Sequence, residues 1–255
     1  MIDSFDVTIP ALTGGAPRRA WVYVPDFLED EPELRLPVLY MFDGHNLFFD
    51  DVATYGKSWG LKEFLEDGEV PLIVAAAECN HGHNFERLSE YSPFSCEMFD
   101  AGHVKGRGKA TMDWYVGEFK PYIDEHYPTL PDRSHTFLAG SSMGGLMTLY
   151  GVLRYNKVFS RGAALSPSIW FARERLESLI RNAHVGQDTV LYMDYGQREL
   201  HDRKMMDWYG QVAGMLIDKK VNLTSRIVPG GTHCESSWER QLPFVINTLL
   251  YELEI

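Results

Sequence analysis

Apolar and polar positions along this chain fall into two kinds of block that alternate. One kind is short and apolar at nearly every position: "LPVLYMFDG", "VPLIVAAAEC", "SHTFLAG", "SRGAALSPS", "DTVLYMDYG" and "NLTSRIVPGG". Runs of this length with no polar face predict strands covered on both sides, as in a parallel sheet. The other kind repeats its apolar positions every three to four residues, which predicts helices: "MDWYVGEFKPYIDEHY" (interrupted at Pro121), "MGGLMTLYGVLRYN", "ERLESLIRNA", "RKMMDWYGQVAGMLIDKK" and "WERQLPFVINTLLYEL". "FDVTIPAL" and "RRAWVYVP" read as two antiparallel strands joined at Gly14 and Gly15. The expected fold is α/β: a mostly parallel central sheet, antiparallel N-terminal edge strands, and helices on both faces. Residues 80–109 break the alternation. They are rich in Gly, His, Ser and Arg, and they predict an irregular, lid-like insertion.

Length and composition narrow the picture. The 255 residues suit one domain spanning 1–255, with no linker-like stretch and no internal repeat. A formal charge of −12 opposes phosphate backbones, so no nucleic-acid partner is expected. No apolar run reaches membrane-spanning length, and "MIDSFDVTIPAL" lacks the pattern of a secretion signal. Cys79, Cys96 and Cys234 form no disulfide framework. A cytoplasmic protein is therefore expected, with exposed aromatics that would permit a homodimer.

The candidate chemistry sits in "FLAGSSMGGLMTLYG", residues 137–151. A G-x-S-x-G frame fits Ser142, flanked by Gly140 and Gly144. Around Ser141 the same places hold Ala139 and Met143. A serine between a strand and a helix occupies a sharp turn that small neighbours tolerate, and its hydroxyl sits at a helix N-terminus. Such a hydroxyl needs a base, and in this arrangement serine, acid and histidine follow in chain order. Three histidines follow Ser142. His184 falls at a helix end and His201 comes early, whereas His233 lies between the last strand and the last helix. The acid is expected in "TVLYMDYGQRELHD", the preceding strand and its loop, where Asp194 at the strand end, Glu199 in the loop and Asp202 are candidates that position alone does not separate. The oxyanion donors are expected to be the Met143 amide and the His45 amide of "MFDGHNLF", with Gly44 letting the backbone bend.

These residues resemble the esterase D-like family of α/β-hydrolases, which includes feruloyl, acetylxylan and siderophore esterases, S-formylglutathione hydrolases and mycolyltransferases. The resemblance is carried by "PVLYMFDGHNLFFDD", "EYSPF", "FKPYIDEHYPT", "FLAGSSMGGLMTLYG", "LSPSIWF", "YMDYGQRE" and "GGTHCESSWERQLP". It implies Ser142 as nucleophile, His233 as base, and the amides of Met143 and His45 as the oxyanion hole. The family's acid follows a glycine by three residues, as Glu199 follows Gly196, so the resemblance selects Glu199. Two features depart from the commoner pattern: many relatives carry Asp at that position, and "DGHN" replaces "HG".

The expected activity is hydrolysis of small or aromatic carboxylic esters, feruloyl or acetyl-sugar esters among them, through an acyl-enzyme on Ser142. The partner is a small-molecule ester. Three alternatives remain: a siderophore trilactone esterase, an acyltransferase with the same triad, and a non-catalytic ligand-binding homologue. Trp170 and Trp59 are expected to line the substrate pocket, together with Gly44. Arg87 and Glu90 are expected to pair and anchor the insertion. His81, His83 and His103 share that insertion with Cys79 and Cys96, but their spacing matches no zinc signature, so no metal or other cofactor is expected.

Overall fold

The structure, a computed structural model, describes residues 1–82, 86–98, 102–200 and 203–254. The described strands in chain order are β1 (Ile2–Thr8), β2 (Pro17–Tyr23), β3 (Val38–Met41), β4 (Ile73–Ala77), β5 (Cys96–Met98), β6 (Gly102–Val104), β7 (Thr136–Ser141), β8 (Arg161–Leu165), β9 (Val190–Gly196) and β10 (Asn222–Val228). Eight of them form one sheet in the order β1-β2-β4-β3-β7-β8-β9-β10. β1 runs antiparallel to β2, and β2 antiparallel to β4, while every pairing from β4 across to β10 is parallel. β5 and β6 make a separate antiparallel hairpin. This is the mostly parallel α/β sheet that the apolar blocks predict, in the α/β-hydrolase arrangement that the resemblance implies.

Alternation along the central strands explains the two-sided cover. β3, β4 and β7 are buried at every position. Tyr40 and Leu138 join one core with the helices Met143–Arg154, Arg173–Asn182 and Arg203–Asp218. Their neighbours Leu39 and Phe137 join the opposite core with the helices Leu61–Asp67 and Leu242–Leu250. Successive side chains of a strand point to opposite faces, so strands serving two cores must be apolar throughout. The parallel run also places the loops after β3, β4, β7, β8, β9 and β10 at one edge of the sheet, where ligands of such folds gather.

Three local expectations change. The β1–β2 connection is not a tight Gly-Gly turn. A helical turn, Pro10–Thr13, intervenes, with Pro10 at a position that needs no N–H and Gly14 (φ 61°) ending it. Pro121 does not interrupt its helix. The helix Gly108–Trp114 widens into a π-helical segment, Tyr115–Phe119, and continues as Lys120–His126, with proline in the first turn of that last segment. The C-terminal helix is two helices, Glu235–Glu239 and Leu242–Leu250, and Pro243 opens the second.

The insertion is stitched to the body. Within it lie the helix Glu86–Glu90 and the β5–β6 hairpin. Within the insertion, the Gly108 amide donates to Ser92 O at 2.7 Å and the Arg107 amide to Ser89 O at 2.9 Å. Arg107 Nη1 reaches Leu12 O at 3.1 Å. A Cβ on Gly108 would come within 2.8 Å of the Pro93 backbone, which explains a glycine there.

Candidate active site

Ser142 follows β7 directly and caps the helix Met143–Arg154. Its backbone is left-handed, with φ 57° and ψ −118°, a conformation that costs a non-glycine residue on the order of 1–3 kcal/mol and clusters at functional sites. The surroundings hold it there. The Ser142 amide donates to Leu165 O at 2.9 Å, and the Ser142 carbonyl accepts from Ser168 N at 2.9 Å and Leu146 N at 3.1 Å. Close approach requires the first flanking glycine and crowds the second. A Cβ on Gly140 would lie 2.8 Å from Gly144 C, and one on Gly144 would lie 3.1 Å from Phe42 Cβ. Ser141 is the last residue of the strand and buried, so of the two serines Ser142 occupies the turn. Met143 begins the helix, and amides of a first turn have no intrahelical acceptor.

Ser142 and His233 line one cleft of about 580 Å³, together with His45, Arg87, Tyr55 and Trp238. Ser142 Oγ meets Ser168 Oγ at 3.5 Å, and among the described residues no hydrogen bond joins it to His233. Catalytic hydrogen bonds are commonly loose without substrate. His233 Nδ1 sits 2.5 Å from Glu199 Oε2. The other carboxylate oxygen, Oε1, accepts from Ser166 Oγ at 2.7 Å and from the Gly196 amide at 2.9 Å. Ser166 Oγ in turn accepts from Trp238 Nε1 at 3.1 Å. Burial opposes ionisation of Glu199. The bonds from His233, Ser166 and Gly196, with the charge on His233, outweigh it and hold the carboxyl below its usual pKa. The second oxygen is therefore fully occupied, which fixes the carboxylate plane against the imidazole.

Asp194 is not that partner. It is buried at the end of β9, where Oδ1 accepts the Ser166 amide at 3.0 Å and Oδ2 accepts Tyr192 OH at 2.8 Å. Burial, aided by the charge of Glu199, raises its pKa from 3.8 to about 6 against the pull of those bonds. A carboxyl raised on folding keeps its proton longer in the native state. Its contribution to stability is therefore greatest in acid and is lost as pH rises through about 6. Relative to the parent, Asp194→Asn should gain roughly 3 kcal/mol between about pH 4 and about pH 7.5, since each pH unit is worth about 1.4 kcal/mol. Urea unfolding of both proteins at the two pH values checks this.

The loop after β3 is held by contacts that the sequence reading missed. Asp43, not Gly44, carries the left-handed backbone (φ 58°). Gly44 does not line the cleft; it is a glycine because a Cβ would meet Trp21 Cε3 at 3.0 Å and the Ala76 backbone at 3.1 Å. Arg87 grips Asp43 with two bonds, Nε to Oδ1 at 2.7 Å and Nη2 to Oδ2 at 2.6 Å. The Asp43 amide donates to Tyr91 OH at 3.1 Å. Burial alone would raise the Asp43 pKa; Arg87 reverses this and keeps it low. The turn Gly44–Asn46 follows, and among the described residues no backbone carbonyl accepts the His45 amide. The expected Arg87–Glu90 pair is thus replaced by two pairs, Arg87–Asp43 and the buried Arg18–Glu90 at 2.6 Å. Arg87→Ala strands a buried carboxylate, and a stability loss of about 3 kcal/mol is expected, at the lower end for broken buried pairs because Arg87 is partly exposed. Chemical denaturation measures it, and Arg87→Lys, which keeps the charge without the fork, should recover part of the loss.

The remaining expected residues scatter. Trp59 is 3% exposed, and its ring packs 5.8 Å from that of Trp238, so it belongs to the core rather than the pocket wall. Trp170 is 46% exposed and lines a second hollow of about 340 Å³ with His233, Glu199, Ser166 and Tyr195. His201 and Asp202 lie outside the described residues, as does His83. His103 pairs with Glu97 across the β5–β6 hairpin at 2.5 Å. Cys79 and His81 instead meet His45, with one ligating atom of each within 4.8 Å of the others. No described helix is long and apolar enough to cross a membrane.

A serine held strained at a strand-to-helix elbow on a mostly parallel sheet, in one cleft with a carboxylate-bound histidine, defines an α/β serine hydrolase. The chain belongs to the esterase family described as "Putative esterase", whose sequence model matches residues 13–244. It is 23% identical over 192 residues to Bacillus subtilis (strain 168) YbbA, itself described as an uncharacterized protein, covering 73% of this chain and 71% of that one. Among solved structures it resembles an IroE-like serine hydrolase from Shewanella oneidensis, with TM-score 0.76, 21% identity, and coverage of 96% of this chain and 79% of that chain. It also resembles a ferulic acid esterase, with TM-score 0.66, 18% identity, and coverage of 97% of each chain.

Proposed function

We propose that the protein is a carboxylesterase that hydrolyses small or aromatic esters through an acyl-enzyme on Ser142. The observation that carries this reading is the 2.5 Å bond between His233 Nδ1 and Glu199 Oε2, made by a histidine that shares its cleft with Ser142. Glu199 holds the imidazole with Nδ1 protonated, leaving Nε2 to take the Ser142 proton as the hydroxyl attacks the ester carbonyl. The oxyanion is held by the amides of Met143 and His45. His233 passes the proton to the departing alcohol. Water then attacks the acyl group, with His233 as base again, and Ser142 is released. The chemistry needs no metal or organic cofactor.

The charges around the cleft favour a neutral substrate. Arg87 is neutralised by Asp43, and Glu86 and Glu235 add negative charge. An iron-chelated catecholate lactone, strongly anionic, would enter against that field, which weighs against the siderophore reading. Trp170, exposed beside His233, offers a flat apolar surface to an aryl group. A panel of p-nitrophenyl esters of graded acyl length, beside feruloyl, acetyl-sugar and catecholate trilactone esters, tests the reading. Neutral short-chain and aryl esters should turn over at least about tenfold faster, by kcat/KM, than the anionic trilactone. Product analysis with added alcohol separates hydrolysis from acyl transfer. A panel in which only the trilactone turned over would contradict the proposal.

A further inference from the structure

We propose that His45, Cys79 and His81 form a binding site for a zinc-class divalent cation in the wall of the catalytic cleft. The three residues come from the loops after two adjacent parallel strands, His45 from beyond β3 and Cys79 and His81 from beyond β4. One ligating atom of each lies within 4.8 Å of the others, and all three residues line the cleft that holds Ser142. A point equidistant from three atoms 4.8 Å apart is about 2.8 Å from each (4.8 Å divided by √3). Zinc bonds nitrogen at about 2.0–2.1 Å and sulfur at about 2.3 Å, so closing the site takes movements of less than about 1 Å per ligand.

A second observation points to a ligand. His45 is 6% exposed, and its Nε2 is taken by Thr54 Oγ1 at 3.0 Å. Its Nδ1 is buried and has no partner among the described residues. A buried ring nitrogen without a partner is costly, and a cation would satisfy it. The Nε2 bond to Thr54 is the outer contact that commonly orients a metal-ligating imidazole. The donor set, two imidazoles and a thiol, is one that zinc favours over magnesium or calcium. His81 is exposed on the cleft side, which gives the ion a way in and leaves the fourth position to water. On binding, the Cys79 thiol loses to solvent the proton it donates to the buried Asp43 carboxylate and bonds as thiolate; no electron is transferred.

The proposal stands apart from the esterase reading, because binding can be read without turnover. Co²⁺ serves as the probe, titrated into the wild type and into Ser142→Ala. Both should take up one equivalent, with the visible bands of a four-coordinate ion and a near-ultraviolet thiolate-to-cobalt band. Cys79→Ser should lose the thiolate band. His81→Ala, at an exposed position that does not threaten folding, should weaken binding by about 100-fold or more, since loss of even an outer-shell partner costs 10–100-fold. Zn²⁺ should displace Co²⁺ and slow hydrolysis of a p-nitrophenyl ester, and a chelator should restore the rate. Absence of stoichiometric uptake would overturn the proposal. So would uptake without a thiolate band, or binding unchanged in His81→Ala.

Discussion

Ser142→Ala is expected to lower ester hydrolysis by about 10⁶-fold, the loss typical when the nucleophile of a serine triad is removed. The expectation rests on backbone geometry as much as on the hydroxyl. The chain holds residue 142 at φ 57° with bonds to Leu165, Ser168 and Leu146, and places on either side glycines where a Cβ would be crowded. That strain has no packing purpose that a glycine would not serve better. Alanine keeps the elbow and removes only Oγ, so the variant should fold normally and retain weak activity from the oxyanion amides. Labelling by a fluorophosphonate should vanish with the same substitution. A variant that still labels at Cys234, which also lines the cleft, would move the nucleophile to that thiol.

The second large effect separates two carboxylates that the chain places five residues apart. Glu199→Gln should cost about 10⁴-fold in kcat, because an amide in that position favours the wrong imidazole tautomer and cannot stabilise imidazolium. Asp194→Asn should stay within a few-fold of the parent. Its two partners, the Ser166 amide and Tyr192 OH, can be met by an amide, and neither belongs to His233. The contrast reads role rather than stability once urea unfolding shows both variants folded at the assay pH. The reverse ranking would make Asp194 the acid.

Much of the frame was legible because it follows from period and adjacency. Two-sided apolar runs mark the parallel strands, and Gly140, Ser142 and Gly144 mark the elbow, since their spacing is itself the steric requirement. Glu199 was harder to assign. Asp194, at the strand end, looked equally suited, and only the resemblance chose between them. The structure brings Glu199 to His233 because a short turn, Gln197–Glu199, folds the side chain back over Gly196. The grip of Arg87 on Asp43 was not legible at all. It joins residues 44 positions apart, and Glu90, three residues from Arg87, was the obvious local partner. Trp59 misled for a general reason: an aromatic in a loop carries no sign of whether it faces the pocket or the core. The His45–Cys79–His81 group was hidden likewise, since spacing reveals ligands within a loop but not across neighbouring strands.

The central claim, that Ser142 carries the acyl group under the control of His233 and Glu199, is tested most directly by trapping that intermediate. Incubation with p-nitrophenyl dimethylcarbamate, followed by intact-mass measurement and peptide mapping, should show release of one equivalent of p-nitrophenol and one carbamoyl group on Ser142. Glu199→Gln and His233→Ala should acquire it far more slowly. Release of p-nitrophenol with the carbamoyl group on Cys234 or another residue, or with no adduct on the protein, would contradict the account.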